Sequence, residues 1–410
     1  MHVRACLPGA KGALLPGVEA GYDLVRPRRA RPMQLDQGVC VRYQLDLEAL
    51  TAASEPSGRN AALAPDRLLW PGLWLWRPEE EARPPEGSTV TFDLPPGTSI
   101  STAWPAAGDD TFRLQSSALS FRSRMALGPL KRRMKLDVAG GTIDAVFLGG
   151  APTGPLDAWR DWITRAARGT AALYGDLPAP HVQLLVVLDE GSTVHFGMTQ
   201  RGGGPGIVMF VGRHVRPSTL KRDWTLTHEL FHLGMPQIAQ NDLWLSEGVT
   251  TYSTFVAMAR AGTLDAESAW AELADGFRRG QRQARGLSLQ HEGERLRRTG
   301  RYARVYWGGA LWALRADLVL RAKGSSLPHQ LIKWRQHQRQ DDRVWSARAL
   351  LDTSAHSAAL QRLVLEHVDA STQPGSAGLL ETLGVDVNDA GEVTLTPASG
   401  AKMRRDIIPE

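Results

Sequence analysis

In "TLTHELFHLG" (225–234) two histidines, His228 and His232, stand four residues apart, and Glu229 follows the first directly. These residue types at this spacing can bind a divalent metal and use it. On a helix, side chains four apart share one face, so both imidazoles can meet a single cation. Glu229, turned about 100° from His228, can reach a water on that cation without being a ligand itself. The chemistry would be metal-assisted hydrolysis with its own general base. A polar patch on an amphipathic helix could carry the same residues, so the surroundings must decide.

A catalytic zinc site takes three protein ligands and keeps one position open. The continuation HExxHxxGxxH of the metzincins does not occur, because Gly234 is followed by "MPQIAQ". Fifteen residues beyond His232, Glu247 lies near the start of a second helix expected in "NDLWLSEGVTTYSTFVAMARAG", capped by Asn241 or Asp242 and ending near Gly262. A carboxylate there can point at the same cation if the two helices pack together. The other usual fate of such a glutamate is solvent.

"HELFH" followed by "WLSEGVTTY" resembles the gluzincin metallopeptidases, whose signature is HExxH and then a helix with WLxEGxTxY. The resemblance implies one zinc ion per chain, held by His228, His232 and Glu247, with Glu229 as general base. Within that group the chain is most similar to the bacterial glycyl aminopeptidase family, and more distantly to the membrane-alanyl aminopeptidase and leukotriene hydrolase family. "VYWGGALWALRADLVLRAKGSSL" (305–327) is similar to a helix of that family, and "TFDLPPGTSISTAWP" (91–105) to part of its N-terminal β domain. "LLETLGV" and "GEVTLTP" in the tail are weakly similar to the segment after the catalytic domain in that family. The comparison gives Tyr306 the role of hydrogen-bond donor to the oxyanion, with Tyr302, one turn earlier, as the weaker candidate.

The chain also departs from that pattern. Gluzincin aminopeptidases hold the substrate amine with a glutamate in GxMEN or GGLEH, where this chain reads "FGMTQ" (196–200), with Thr199 in the glutamate's place. A threonine supplies no negative charge to pair with an ammonium group. The His232 to Glu247 linker is shorter than usual, and no PDZ-like domain comes after the catalytic part. The expected function is therefore zinc-dependent peptide hydrolysis, with aminopeptidase and endopeptidase action both open. A non-catalytic, zinc-containing peptide-binding protein of the same fold is the alternative. Backbone groups of Gly197 and Met198 are the expected substrate contacts, by strand addition to an extended peptide, with Gly202 to Gly204 as a mobile neighbour.

These residues must be positioned by an α+β architecture. Up to residue 152 the text is strand-like: "VCVRYQLDL" alternates at Val39, Val41, Tyr43, Leu45 and Leu47, and "TVTFDLP" at Val90, Phe92 and Leu94. "MKLDVAGGTIDAVFL" (134–148) predicts a hairpin turning at Gly140-Gly141. The tryptophans of "WPGLWLWRP" (70–78) are expected in the core. This predicts a β-sandwich-like domain over 1–152. A thermolysin-like catalytic domain, a small mixed sheet plus a mainly helical lobe, occupies 153–371, and a short tail with a helix and a strand 372–410. In the second domain a helix is expected at 156–175, strands at 181–189 and 206–215, and helices throughout 223–369, with Asp223 capping the first histidine helix.

Composition excludes several other classes. The 410 residues, 42% hydrophobic and 22% charged, describe a folded globular chain. The net charge of +5 is dispersed, and "PRRARP" (27–32) and "KRR" (131–133) lack interleaved aromatics, so no nucleic-acid partner is expected. Two cysteines, Cys6 and Cys40, are too few for a disulfide scaffold but can pair with each other. The longest apolar run, "VQLLVVL" (182–188), falls far short of a membrane span, and "MHVRACLPGAKG" lacks an apolar h-region. The default expectation is a cytoplasmic protein; a start placed too far downstream would instead hide an export signal.

Overall fold

The computed structural model describes residues 1–10, 12–15, 25–26, 33–35, 40–52, 61–78, 84–115, 123–340, 343–371 and 375–410. The basic run 27–32 and Val39 lie outside them. The chain divides into two compact units, Met1–Arg160 with Ala179–Leu220, and Asp161–Pro178 with Lys221–Glu410.

In the first unit, alternation becomes sheet. Val41, Tyr43 and Leu45 of Cys40–Leu45 turn inward, and the strand pairs antiparallel with His2–Cys6, which also pairs with Thr89–Asp93. They belong to a six-stranded sheet whose inner face shares one core with Leu69, Ile100, Met125 and Leu127 of a four-stranded sheet. Trp70, Trp74 and Trp76 fill that core, as expected for tryptophan in an all-β setting. Cys6 and Cys40 face each other across the first strand pair and form a disulfide.

A five-stranded mixed sheet belongs to the same unit. Its order is Arg133–Val138, Gly141–Leu148, His181–Asp189, Pro205–Gly212 and Val194–Arg201, the last at one edge. The expected hairpin forms, but its register pairs Val138 with Gly141, so the turn is Ala139-Gly140 rather than Gly140-Gly141. Both turn residues have positive φ, 52° and 77°, as a two-residue type I′ connection demands. Two of the glycines at 202–204 stand at close approaches. A Cβ on Gly204 would lie 1.8 Å from the Ala103 carbonyl oxygen, and one on Gly202 would lie 2.3 Å from Ser123 Cβ. Close approach to Ser123 and Ala103 accounts for Gly202 and Gly204, and Gly203 has a positive φ of 81°.

The second unit is mainly helical. Helix α1 (Thr225–Gly234) starts where the Asp223 carboxylate accepts Thr225 N and Leu226 N at 3.1 and 3.2 Å, with Trp162 Nε1 donating to it at 2.8 Å. Burial raises the Asp223 pKa above the ordinary carboxylate value, and these hydrogen bonds oppose the rise. Helix α2 (Leu243–Arg260), α3 (Ala266–Arg282) and α4 (Tyr302–Ala322) come next. Asp242 does not cap α2 with its side chain, because that carboxylate accepts Ala347 N at 2.8 Å and Gln290 Nε2 at 3.0 Å.

Helices α2 and α4 cross at two glycines. A Cβ on Gly309 would fall 2.0 Å from the Trp244 carbonyl oxygen, and one on Gly248 would fall 2.3 Å from the Gly309 carbonyl carbon. Next to the crossing, Tyr252 donates to Asp317 at 2.8 Å, and Asp317 also accepts Leu327 N at 2.7 Å and pairs with Arg321 at 3.1 Å. Phe231, Trp244, Trp270, Phe277 and Trp312 lie in one core with Leu383, Val385 and Ile407 of the tail. The tail's "NDAGE" turn joins Val385–Val387 to Val393–Leu395 as an antiparallel pair.

Candidate metal centre

The spacing within α1 puts His228 and His232 on one face, and the α2–α4 crossing fixes where Glu247 stands. His228 Nε2 and His232 Nε2 are 3.1 Å apart, and Glu247 Oε2 lies 3.3 Å from the first and 3.2 Å from the second. These three atoms form a nearly equilateral triangle. Zinc with tetrahedral bonds of about 2.0–2.1 Å separates its ligand atoms by about 3.3–3.4 Å, so the donor set fits a zinc ion. Hydrogen bonding alone satisfies the triangle poorly. If both Nε2 atoms donate to Glu247, two N–H groups face each other, whereas one cation engages every lone pair at once.

The surroundings are mostly dry. His228 and His232 are buried, as is Glu229. Burial raises the Glu247 pKa, but His232 and His228 outweigh it through charge and hydrogen bonding and hold the carboxyl well below its usual range. His232 Nδ1 faces two hydroxyls, Ser246 Oγ and Thr250 Oγ1, each at 3.5 Å. Were Nε2 to hold a metal, Nδ1 would carry the proton, and these hydroxyls would orient the ring.

Aromatic rings bracket His228. Trp224 meets it edge-on, at 5.5 Å and 84°, and Tyr306 lies parallel to it, at 6.0 Å and 6°. Burial, then the Glu247 and Glu229 carboxylates, hold the Tyr306 phenol well above its ordinary pKa. The phenol thus keeps its proton and remains a donor. Tyr302 is exposed, with its ring edge-on to Tyr306 at 6.2 Å.

No protein-family profile and no curated protein sequence matches the chain. Solved structures do. The chain is similar to an aminopeptidase N family protein from Idiomarina loihiensis, with 14% identity, 94% of this chain and 76% of that one covered, and a TM-score of 0.66. It is also similar to an M1 zinc metallopeptidase from Deinococcus radiodurans, with 17% identity, 90% and 87% covered, and a TM-score of 0.51. The fold is M1-like.

Within this M1-like fold, His228, His232, Glu247, Glu229 and Tyr306 all belong to the second compact unit, the first three with converging ligand atoms. Gly197 and Met198 belong to the first unit, on the edge strand Val194–Arg201, where they pair with Met209 and Val208. Thr199 is buried on the same strand. Sequence reasoning missed Trp224, Ser246 and Thr250. Trp224 precedes His228 by four residues and Thr250 follows Glu247 by three, so helical spacing already placed each beside a candidate ligand. Ser246 carried no such signal, because its role depends on how α1 and α2 pack. No described helix is long and apolar enough to cross a membrane.

Proposed function

We propose that the protein is a gluzincin zinc metallopeptidase, with one zinc ion per chain held by His228, His232 and Glu247. The observation that carries this reading is the triangle of Nε2, Nε2 and Oε2 atoms, 3.1 to 3.3 Å on a side, with a buried glutamate next to its first histidine in the chain. His228, His232 and Glu247 would hold the zinc, which when bound would supply Lewis acidity and lower the pKa of a water toward neutrality. Glu229 takes the proton of the attacking water and passes it to the leaving amine. Tyr306, kept protonated by burial and two carboxylates, donates to the oxyanion of the tetrahedral carbon. Ser246 and Thr250 hold the His232 ring in place.

The substrate in this reading is a peptide or protein. Its backbone adds to the edge strand at Gly197 and Met198, since sheet edges offer groups for strand addition. The lobe that carries the site is read as thermolysin-like. The division 1–152, 153–371 and 372–410 follows chain order; the compact units divide the chain differently, grouping the five-stranded sheet with the N-terminal strands. Thr199 supplies no charge for a substrate amine, so the reading does not require a free amino terminus.

Matched peptides, free or acetylated at the amino terminus, test this with zinc-loaded protein and its Glu229→Gln variant, products being tracked by mass spectrometry. Cleavage by the wild type and none by the variant, with equal zinc content, is the expected result. Single residues released only from free peptides would define an aminopeptidase, and internal cuts in both sets an endopeptidase. Peptide binding without cleavage by the wild type would replace this reading with that of a non-catalytic peptide-binding protein.

A further inference from the structure

Charge is uneven along the second unit. The stretch 278–304, "RRGQRQARGLSLQHEGERLRRTGRYAR", holds nine arginines and two glutamates, a surplus larger than the +5 of the whole chain. The dispersed charge expected from composition does not describe it. The fold accounts for four of these arginines. Arg278 and Arg279 pair with Asp275 at 3.4 and 3.1 Å, Arg301 pairs with Glu292 at 3.0 Å, and Arg304 is buried. The other five, Arg282, Arg285, Arg295, Arg297 and Arg298, are exposed and make no ion pair among the described residues. Glu294 is exposed too, 3.5 Å from Gln290 Nε2.

The fold gathers both ends of the stretch. Helix α3 ends against the start of α4, where Gln283 Oε1 accepts Arg304 N at 3.3 Å and a Cβ on Gly280 would lie 3.2 Å from the Ala303 carbonyl oxygen. The Arg301–Glu292 pair ties the short helix Leu289–Glu294 to the same end of α4. Tyr302 stands there, exposed, its ring against Tyr306, whose own ring lies parallel to His228.

We propose that this arginine surface binds the carboxylates of an acidic peptide segment, giving the protein a preference for substrates with acidic residues some distance from the cut bond. This rests on the metallopeptidase reading above. Helix ends favour cations, which explains arginine in the last turns of α3 and of Leu296–Thr299. It does not explain Arg285 and Arg295 between them, and gathered like charges repel one another within the fold. A guanidinium presents a fork that takes a carboxylate through two hydrogen bonds. Ring steps of 6.2 and 6.0 Å lead from Tyr302 to His228, a path that an extended chain covers in about four residues at about 3.3 Å each. Carboxylates farther out than that meet the arginines. Phosphates suit the same fork, but single-stranded nucleic acid also stacks its bases on a series of rings, and the stretch has a single tyrosine and no phenylalanine or tryptophan.

The test uses peptides that share one cleavable core and carry, beyond it on either side, a run of glutamates, glutamines or lysines. Affinity is measured by calorimetry on the zinc-loaded Glu229→Gln variant, and kcat/KM on the zinc-loaded wild type. Glutamate should exceed glutamine by about tenfold at low salt in both measurements, with lysine last, and the ratio should approach one near 1 M salt, where screening acts beyond about 3 Å. Arg295→Gln, Arg297→Gln and Arg298→Gln together should remove the advantage and leave the glutamine peptide unchanged. Lys131→Gln, Arg132→Gln and Lys135→Gln together remove the same charge from exposed residues of the first unit and should preserve it. Equal use of the three peptides, an advantage that survives the arginine variant, an equal loss in both variants, or tighter binding of a single-stranded oligonucleotide of equal charge would overturn the proposal. Cleavage without the glutamate advantage would sink the surface and leave the peptidase reading standing. Arginine-dependent binding of the glutamate peptide without cleavage would do the reverse, and neither binding nor cleavage would remove both.

Discussion

The Tyr306 ring lies parallel to the His228 imidazole, with 6° between their planes and 6.0 Å between their centres. Burial first, then the Glu247 and Glu229 carboxylates, raise the pKa of that phenol.

Tyr306→Phe keeps that stack and removes only the donor. We expect kcat to fall about 10²–10³-fold, the magnitude found when one oxyanion donor is lost, with zinc content unchanged. Tyr302→Phe should stay within about threefold of wild type in the same assay, because an exposed hydroxyl has no such role. Unchanged kcat in the Tyr306 variant would remove the residue from the mechanism.

Ser246→Ala combined with Thr250→Val strips both hydroxyls from His232 Nδ1. Loss of an outer partner of a metal-bound imidazole costs about 10–100-fold in metal affinity or activity. Competition with a chromophoric chelator should show weaker zinc binding in that range. Affinity equal to wild type would mean that these two hydroxyls do not orient the ring.

Gly309→Ala places a Cβ 2.0 Å from the Trp244 carbonyl oxygen, where backbone must yield. Overpacking of this kind costs about 1–3 kcal/mol. The urea midpoint should drop with little change in slope, and zinc affinity should fall with it, since α2 carries Glu247. A midpoint unchanged within error would show that the crossing relaxes freely.

His367 sets a pH dependence. It is 1% exposed, and its Nε2 lies 3.0 Å from the Gly308 carbonyl oxygen. Burial pushes the imidazole down to about 3; that hydrogen bond opposes the shift, and Arg315 and Arg304 add to it. The folded pKa is depressed, so the unfolded chain binds the extra proton between its own value of about 6.5 and the folded value. The associated stability is complete above about pH 6.5 and declines by about 1.4 kcal/mol per unit as pH falls toward 3. Urea melts at pH 7 and pH 5 should converge for His367→Asn compared with wild type; equal losses in both proteins would assign the acid sensitivity to other groups.

The features legible along the chain were those that depend on neighbours in sequence. Four-residue spacing placed His228 and His232 on one face because 3.6 residues make a turn, and Asp223 marked the start of α1 because its carboxylate reaches amides two and three residues on. Alternation at Val41, Tyr43 and Leu45 named the buried side of a strand for the same local reason. The hairpin was legible but its turn was misplaced by one residue, because the strand register, set across the sheet, put Ala139 rather than Gly141 at a positive φ.

The sequence by itself therefore determined which residue types could hold a metal, their helical face and the α+β alternation. Only the tertiary structure decided that Glu247, fifteen residues beyond His232, closes a triangle about 3.2 Å on a side and that Tyr306 stacks on His228. Those distances come from how α1, α2 and α4 pack; the close approach of α2 to α4 is one that Gly248 and Gly309 permit. Close packing between distant segments has no periodic signature along the chain, so these relationships exist only once the helices have packed.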